Sequence, residues 1–463
     1  MKVLLLNPHY LQGYIHSARW DSLTVSGSHW YPIFLAYATG LLEQSGHECR
    51  LIDAEADNLT DQEVLNVAND FKPDFTVVYI SQKGLIKHQY LSSEIKTHTN
   101  SRIIFVGPWC SMPQVKEFCL KDKKSKPLVD HLIDGEFEFA VKDIVEGKEN
   151  KKIITAGRLT SEQLNELPWV TKVYNKHLNI ENYQIGSLWH PFVDMFTGRK
   201  CYWGKCTFCL WPSTIFKTGG YIARDIDDVL DEMGWAVKNI KPKIKEIYIQ
   251  DDTPPAWRCK QLAEGIIERK IDIAWSTYAR GDLTLTSKIL KLMKKSGCHC
   301  LHVGYESGSN KILKKINKGV TREMLEKFTN LCNDASIDVH ADFMIGLPGE
   351  TEKTARETIE WAKKLNVVTY QFAPPKPYPC TPYYDWLIEN ELIDEKGRPE
   401  YKEMSYKEMV DWCKIAMKEC YFNFGFLKRV IFKPNELKRL IRSAIFVIPY
   451  ILKNTEKQLE EEF

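Results

Sequence analysis

The stretch Cys201-Tyr202-Trp203-Gly204-Lys205-Cys206-Thr207-Phe208-Cys209 places three cysteines within nine residues. Thiolates are soft ligands, which suit an iron–sulfur cluster or zinc far better than magnesium or calcium. A tetrahedral zinc site takes four ligands, and only three are clustered here. Three cysteines on a [4Fe–4S] cluster leave one iron open for a substrate or cofactor. The pattern therefore predicts a catalytic cluster, with a structural metal site or a plain cysteine-rich loop as the alternatives.

The composition is that of a globular protein with several domains. Its 463 residues predict two or three domains, and 44% of them are hydrophobic, which is ample for sizeable cores. The net charge of +2 offers no global electrostatic case for binding nucleic acid. Thirteen cysteines in a chain of this length are not a disulfide framework and indicate a reducing, cytoplasmic compartment. The first apolar run is too short for a signal peptide, and no run approaches the ~20 residues that span a bilayer.

Residues 1–150 alternate strand-like and helix-like segments, the rhythm of a doubly wound, Rossmann-like parallel sheet of the α/β class. Ligands of such sheets bind beyond the carboxyl ends of the strands. No Gly-x-Gly-x-x-Gly follows the first strand, which argues against a dinucleotide. The predicted strands are residues 3–6, 50–53, 75–80, 103–106 and 131–133.

Residues 196–395 repeat this alternation, and polar residues follow each strand. The sequence predicts six βα units, an incomplete parallel (β/α)6 barrel whose site lies at the carboxyl ends of its strands. Residues 151–195 have no sustained period and are interpreted as a connector, and residues 396–463 add a helical C-terminal region. The predicted barrel strands are residues 246–250, 274–278, 300–304, 340–345 and 369–373.

The cysteine stretch, followed by Leu210-Trp211-Pro212, resembles the cluster loop of the radical S-adenosylmethionine (SAM) superfamily. The usual spacing in that family is Cys-x3-Cys-x2-Cys. This chain has one more residue in the first gap, which Gly204 lets the loop absorb. The resemblance implies that Cys201, Cys206 and Cys209 hold a [4Fe–4S] cluster that cleaves SAM reductively to a 5′-deoxyadenosyl radical. That radical would functionalise a C–H bond, and a flavodoxin- or ferredoxin-type protein would donate the electron.

The same resemblance assigns SAM contacts to residues that follow the predicted barrel strands. Asp251 and Asp252 match the position of the SAM-amine contacts, although Asp-Asp-Thr alone is more often a turn or a helix cap. Glu306 matches another SAM contact, whereas alone it is an ordinary charge at a helix N-terminus. The other matches are Arg280 toward the SAM carboxylate, the Phe208 backbone toward adenine and Gly346 beside adenine. Their alternatives are a surface salt bridge, a core ring and a loop glycine.

Residues 1–150 resemble the cobalamin-binding domain that precedes many radical SAM domains. The matching landmarks are residues 30–32, 47–53, 107–108 and 135–136. The Asp-x-His-x-x-Gly motif, which supplies an axial histidine in many other cobalamin proteins, is absent, and His131 is expected to be a core or surface histidine. The alternative is a Rossmann-like domain that has lost its cofactor. The cobalamin contacts implied by the resemblance are Ser81, Gly107, Pro108, Gly135 and Glu136.

Further motifs resemble the radical SAM proteins that build the cyclitol ether head group of hopanoids and their archaeal relatives that make calditol lipids. This resemblance implies ring or carbon-skeleton formation on a lipid or lipid head group. One alternative is cobalamin-dependent radical methylation of a lipid, a peptide or a natural product. Another is a non-catalytic iron–sulfur or zinc protein, with Cys259, Cys298, Cys300 and Cys380 as distant ligands. The motifs are residues 30–32, 167–168, 173–174, 180–183, 190–191 and 206–212.

Basic and apolar residues mix near the end of the chain, in residues 426–433 and 437–442, and an apolar run follows at 444–452. A basic amphipathic segment of this kind lies on a membrane surface, or packs on the barrel with its lysines outward. The sequence therefore predicts a cytoplasmic protein, with peripheral membrane contact as an alternative that a lipid substrate would fit.

Overall fold

The computed structural model describes residues 1–11, 14–16, 22–23, 27–120, 128–216 and 220–431, together with positions 441, 444, 448, 449 and 452. The chain forms two compact units. Unit 1 comprises Met1–Ile185, His190–Met195 and Trp211–Ile244, and unit 2 comprises Gly186–Trp189, Phe196–Leu210 and Lys245–Phe463. The domain boundaries inferred from the sequence stay a prediction.

Strands and helices alternate through the first part of unit 1. The strands are β1 (Lys2–Asn7), β2 (Tyr14–Ile15), β3 (Ser22–Leu23), β4 (Glu48–Asp53), β5 (Phe75–Tyr79), β6 (Arg102–Val106), β7 (His131–Asp134) and β8 (Ile153–Thr155). The helices are α1 (Ile33–Gln44), α2 (Asp61–Phe71), α3 (Leu85–Thr99), α4 (Pro113–Leu120), α5 (Glu138–Val145), α6 (Ser161–Glu166) and α7 (Val170–His177), with 3₁₀ turns at Pro108–Ser111 and Ile180–Asn182.

The sheet of unit 1 has the order β4-β1-β5-β6-β7-β8, and its strands are parallel. Its core strands read as near-continuous apolar runs; Val3, Leu4, Leu5 and Leu6 are fully buried, as expected for a sheet covered on both faces. The chain winds outward from β1 in both directions, so the topological switch point lies between β1 and β5. The predicted parallel α/β sheet is confirmed, and β8 adds an edge strand that the sequence did not indicate.

Residues 151–195 contain β8, α6 and α7, and a stack of tyrosines fixes part of this segment to the sheet. The Tyr31 ring lies between those of Tyr183 and Tyr174, with centroids 3.8 Å and 4.3 Å away. The Tyr183 hydroxyl donates a hydrogen bond of 2.9 Å to Asp53 at the end of β4. All three rings are buried, so this segment contributes to the core of unit 1.

The remaining strands are β9 (Phe192–Met195), β10 (Gly198–Arg199), β11 (Ile222–Ala223), β12 (Glu246–Ile249), β13 (Ala274–Ala279), β14 (Cys298–Glu306), β15 (Asp338–Met344) and β16 (Thr369–Ala373). The remaining helices are α8 (Leu210–Ser213), α9 (Ile226–Asn239), α10 (Ala256–Glu268), α11 (Ser287–Lys295), α12 (Asn310–Lys315), α13 (Arg322–Asp334), α14 (Glu352–Ala362), α15 (Pro382–Glu389), α16 (Tyr406–Tyr421) and α17 (Phe424–Ile431).

The strands β12 to β16 of unit 2 pair in chain order and are all parallel. All five barrel strands predicted from the sequence are present, and a helix follows each of them. Side chains on β15 alternate between half-buried and buried, with His340 and Asp342 on one face and Ala341 and Phe343 on the other. The sheet therefore has one apolar face and one polar face. The finer layout of a six-unit barrel stays a prediction.

Part of the predicted helical C-terminal region packs on the last strand of this sheet. The Tyr421 hydroxyl, on α16, accepts a hydrogen bond from the Tyr370 backbone N–H (2.9 Å) and donates one to the Tyr370 carbonyl (2.8 Å). Most of the basic and apolar segment at residues 426–452, for which membrane contact was the alternative to packing on the barrel, lies outside the described residues. In the described part of the chain, every helix is too short or too polar to cross a bilayer.

Candidate active site

Two aspartates at the end of β12 hold the backbone that leads into the cysteine stretch. The Asp251 carboxylate accepts hydrogen bonds from the Thr197 N–H (2.7 Å), the Thr197 hydroxyl (2.6 Å) and the Gly198 N–H (3.1 Å). Asp252 accepts one from the Lys200 N–H at 2.9 Å. These bonds give both residues a structural role at the loop. A SAM contact by Asp251 would compete with them and stays a prediction.

The backbone around Cys206 is pinned to other parts of unit 2. The Thr207 N–H donates to the Ile316 carbonyl (3.1 Å), and the Thr207 carbonyl accepts from the Tyr383 N–H (3.0 Å). Burial raises the pKa of the Cys206 thiol, while the positive charges of Lys318 and Arg280 act to lower it. The three cysteines and Phe208 are half-buried. The loop thus presents its thiols at the surface of unit 2, close to two cationic side chains.

Trp203 closes one side of this loop. Its indole N–H donates to the Asn317 carbonyl at 2.9 Å, and the Arg280 guanidinium stacks 4.6 Å from its ring centroid. Gly319 lies against the same ring: a Cβ there would come within 2.2 Å of a ring carbon, and its φ of +72° also favours glycine. A larger residue at position 319 would therefore displace the tryptophan and the loop it supports.

A buried ion pair lies at the end of β14. The Lys318 Nζ is 2.6 Å from the Glu306 Oε1, and the two side chains are 8% and 6% exposed. Glu306 has a φ of +59°, a conformation that is rare for residues other than glycine and that often marks functional sites. Burial and backbone strain together support the predicted contact of Glu306 with a ligand over an ordinary charge at a helix N-terminus.

Arg280 is buried and hydrogen-bonded within unit 2, so a surface salt bridge is excluded as its role. Its guanidinium donates to the Lys318 carbonyl at 2.6 Å and lies 3.3 Å from Asp282. The Tyr202 hydroxyl donates to the same aspartate at 2.5 Å. Arg280 therefore links the cysteine stretch to the loop that carries Lys318.

Gly346 begins the Gly-Leu-Pro-Gly-Glu segment after β15 and has a φ of +112°. A Cβ at this position would come within 2.3 Å of the Met409 sulfur on α16. Its N–H donates to Glu350 at 3.4 Å, and the Thr354 hydroxyl donates to the same carboxyl at 2.5 Å. Burial raises the pKa of Glu350 to about 7. The sequence assigned Glu350 no role beyond membership of this segment, because its burial depends on the packing of α16 and α14 around it.

The donors of the cysteine stretch are three thiols, the ligand type of iron–sulfur clusters. Among the described residues, no three His, Cys, Asp or Glu side chains are gathered to hold one metal ion. Ligands of a cubane cluster bind separate irons and therefore lie further apart than ligands of one ion. Cys259, Cys298 and Cys300, the distant zinc candidates, are fully buried in unit 2, and Cys380 is exposed.

The residues implied in cobalamin binding lie in unit 1 and follow three neighbouring strands. Ser81 follows β5, Gly107 and Pro108 follow β6, and Gly135 and Glu136 follow β7. Because these strands are parallel, the five residues share the carboxyl edge of one sheet. Glu136 is buried and accepts a hydrogen bond from the Leu159 N–H at 2.8 Å, so its side chain serves the fold of unit 1. His131 is also structural, since its ring contacts Arg102 and the Lys151 carbonyl.

Histidines that the sequence did not identify lie at the same edge. His88, on the first turn of α3, is buried, and its Nδ1 accepts a hydrogen bond from the Ser81 N–H at 3.4 Å. The His16 ring lies 5.1 Å from that of His88 and 6.4 Å from Tyr79. The Nε2 atoms of His9 and His88 are buried and find no hydrogen-bond partner among the described residues. No motif joins these histidines, which only the fold brings together.

A comparison with protein families decides the identity of the cysteine-containing domain. The model of the Radical SAM superfamily matches residues 195–362, which include the cysteine stretch, Glu306, Lys318 and Gly346. These residues are a radical SAM domain. The prediction of a radical SAM enzyme is therefore confirmed.

Curated relatives extend the similarity beyond the radical SAM domain. An uncharacterized methyltransferase of Pyrococcus horikoshii is 26% identical over 377 residues, which span 78% of this chain and 79% of the relative. The anaerobic magnesium-protoporphyrin IX monomethyl ester cyclase of Rubrivivax gelatinosus is 24% identical over 491 residues, or 96% of this chain and 82% of the relative. These similarities do not show the finer resemblance to hopanoid and calditol proteins, which stays a prediction.

Among solved structures, the radical SAM methyltransferase TsrM of Kitasatospora setae, determined with cobalamin and a [4Fe–4S] cluster bound, is similar to this radical SAM enzyme. The TM-score is 0.63 at 17% identity, and the alignment covers 84% of this chain and 78% of TsrM. At this level of identity the similarity shows the fold alone.

Proposed function

We propose that this radical SAM enzyme is a cobalamin-dependent methyltransferase. The observation that carries the proposal is the pairing, in one chain, of a radical SAM domain with a separate parallel sheet whose carboxyl edge has the features of a cofactor site. The methyltransferase relative and the methyltransferase TsrM support it, since both align over more than three quarters of the chain. Ring formation on a lipid, the first expectation from the sequence, has less support.

The residues of unit 2 fit a [4Fe–4S] cluster and SAM. Three half-buried thiols stand on a loop whose backbone is held at both ends, so they form a constrained set of soft ligands. The Glu306–Lys318 pair lies near the cysteine loop, since the Thr207 N–H donates to the carbonyl of Ile316, two residues before Lys318. In this arrangement Glu306 would accept hydrogen bonds from SAM, and Lys318 and Arg280 would balance the negative charge of the loop.

The edge of the unit 1 sheet fits cobalamin. The switch point between β1 and β5 is where doubly wound sheets bind ligands, and it carries Ser81 and the rings of His16, His88 and Tyr79. The buried Nε2 atoms of His9 and His88, which lack partners among the described residues, are groups that a ligand would satisfy. Gly107 follows β6 with a φ of +111°, a conformation that favours glycine, and its α-carbon packs against the Tyr79 ring.

The cysteine loop would hold a cluster that supplies the electron for cleavage of SAM, and the unit 1 edge would hold the cobalamin that carries the methyl group. The side chains of this protein then have simpler tasks. SAM would lie beside the cysteine loop and Glu306, whose carboxylate pairs with Lys318 within unit 2. The unit 1 edge would hold its cofactor by shape and through the Nε2 atoms of His9 and His88, because Glu136 already accepts a hydrogen bond from the backbone of unit 1.

The test is the stoichiometry of SAM products. The protein would be reconstituted anaerobically with iron, sulfide and cobalamin, then incubated with SAM, a reductant and a cell extract. Methyl transfer to an unactivated carbon yields S-adenosylhomocysteine and 5′-deoxyadenosine in similar amounts, with both dependent on the cluster and the first dependent on cobalamin. Formation of 5′-deoxyadenosine without S-adenosylhomocysteine, with or without cobalamin, would reject methyl transfer.

The second candidate is ring formation. The Rubrivivax gelatinosus cyclase, which aligns over 96% of this chain, favours it. In the same experiment, a ring-forming enzyme would produce 5′-deoxyadenosine alone and a product of unchanged carbon number. The two candidates are therefore separated by one chromatogram and one mass spectrum.

A further inference from the structure

The polar face of the β12–β16 sheet has a chemical character that limits the substrate. Tyr278, His302, His340 and Thr369 lie side by side on four adjacent strands in one row of the register. The Tyr248 ring lies 5.0 Å from His302, and the His302 ring lies 4.8 Å from His340. Cross-strand contacts thus join these rings into a continuous surface, which we call the inner face.

The charges of this face are acidic. None of the residues of β12–β16 is Lys or Arg, whereas Glu246, Glu306, Asp338 and Asp342 all belong to these strands. Glu306 is neutralised by Lys318, and Glu246 accepts hydrogen bonds from the Trp189 N–H (2.6 Å) and from Ser276 and contacts His299 at 3.0 Å. An anionic group placed on the inner face would therefore find no cationic partner among the strand residues.

Asp342 is the acceptor best placed for a ligand. Its Oδ1 lies 3.1 Å from the His340 Nε2, and because a carboxylate only accepts, the proton is assigned to Nε2. The other ring nitrogen of His340 is 2.7 Å from the Thr369 hydroxyl, which donates to it. The imidazole is therefore held from both sides and orients Asp342. The Oδ2 atom accepts no hydrogen bond from the described residues, and the side chain is 23% exposed.

Asp342 also lies next to the residues that we assign to SAM. Its strand neighbour in the register is Gly304, and a Cβ on Gly304 would come within 2.3 Å of Glu306 Oε1 and 2.8 Å of Lys318 Nζ. The ion pair therefore packs directly over Gly304, one strand away from Asp342. On the other side, Gln371 pairs with Asp342 and offers a second polar side chain.

We infer that the inner face binds a substrate through a hydrogen-bond-donating group, a protonated amine or a hydroxyl, which Asp342 accepts. The inference rests on the proposed function for the identity of this face as the substrate side of the enzyme. It disfavours two substrate classes: a hydrocarbon chain, which would leave Asp342 without a partner, and a phosphate or carboxylate, which Asp342 would repel.

The test measures binding only, so its outcome does not depend on methyl transfer. Four probes share one ring and differ in one group: 2-phenylethylamine, 2-phenylethanol, ethylbenzene and 3-phenylpropanoate. Their affinities for the cluster-loaded protein with SAM would be measured by saturation-transfer NMR. We expect the amine to bind about tenfold more tightly than ethylbenzene, the effect of one hydrogen bond to a charged group, and the alcohol to lie between them. The carboxylate should bind most weakly.

The Asp342→Asn variant should abolish the preference for the amine. Asp338→Asn is the matched control, because Asp338 lies on the same face of the same strand, four residues earlier, at its other end. Melting curves show whether either variant is folded. Equal binding of ethylbenzene or the carboxylate by the wild-type protein would overturn the inference, as would a preference that survives in Asp342→Asn or the absence of binding by all four probes.

Discussion

The carboxyl edges of the two parallel sheets carry different kinds of polar group. Beyond β5 and β6 the edge of unit 1 offers small residues and a histidine ring, Ser81, Gly107 and His88, while its charged pair, Asp134 with Lys116, lies at β7. The edge of unit 2 carries full charges that are buried and paired, of which Glu306 with Lys318 is the clearest case. The first edge can hold a large ligand by shape with little electrostatic cost. The second is poised to hold charged groups, and it becomes unstable when one partner is removed.

The largest effect expected at the charged edge is the loss of the cluster. Cys206→Ala removes one of three thiol ligands, so iron and sulfide content, visible absorbance and 5′-deoxyadenosine formation should fall to background. Cys380→Ala is the matched control in the same unit, because Cys380 is exposed and lies outside the cysteine stretch. A Cys206→Ala protein that still makes 5′-deoxyadenosine would show that the cluster assignment is wrong.

The second largest effect is expected from breaking the buried ion pair between Glu306 and Lys318. Lys318→Met leaves the Glu306 carboxylate buried without its partner, which should lower the free energy of unfolding by about 3 kcal/mol. Urea unfolding measures this loss, and Lys314→Met, on the exposed surface of α12, should cause almost none.

A double variant separates stability from function at this pair. Glu306→Gln combined with Lys318→Met removes both charges, so part of the lost stability should return. SAM binding, measured by equilibrium dialysis, should stay absent, because the carboxylate that would contact SAM is gone. Restored SAM binding in the double variant would assign the pair to the fold alone.

The stability of unit 2 should also depend on pH. Burial raises the pKa of Glu350 from its ordinary value of 4.5 to about 7, so the folded protein binds this proton more tightly than the unfolded chain. The free energy of unfolding should therefore fall as pH rises between these two values, by up to about 3 kcal/mol, and level off above them.

In Glu350→Gln this fall should shrink, whereas Glu352→Gln, exposed on the first turn of α14, should keep it. Urea unfolding at about pH 5 and about pH 8 measures the difference. An unchanged pH profile in Glu350→Gln would mean that this carboxyl is solvated in the native protein.

The smallest effect is expected at the uncharged edge. His88→Phe keeps an aromatic ring but loses the Nε2 atom that cobalamin would satisfy, together with the hydrogen bond from the Ser81 N–H. Cobalamin retained after desalting should drop about tenfold, the equivalent of one hydrogen bond of ordinary strength. His98→Phe, on the exposed side of the same helix, is the control. Full retention in a folded His88→Phe protein would place cobalamin away from this residue.

Much of the fold was predictable because apolar runs and their spacing are local properties. The strands around Val77, Ile104, Tyr248 and Phe372 could be identified from short hydrophobic runs that end in polar residues. β8 could not be identified in this way, because Ile153–Thr155 is only three residues long and is recognised as a strand only by its pairing with β7. The same limit applies to the tyrosines of residues 170–183, whose stacking on Tyr31 has no local signature.

The candidate site could likewise be predicted only in part. A dense run of cysteines is a local pattern with few physical interpretations, so the sequence by itself determined the cluster chemistry and the superfamily. It could not determine that Asp251 serves the loop backbone, that Lys318 neutralises Glu306, or that His340 orients Asp342. The first two pairings join residues that are 12 or more positions apart in the sequence. The third depends on Thr369, which lies on a different strand and contacts His340. Only the tertiary structure decided them. The orientation of a side chain and the pairing of its charge depend on its burial and on the distance to its partners, and the adjacent residues in the sequence specify neither.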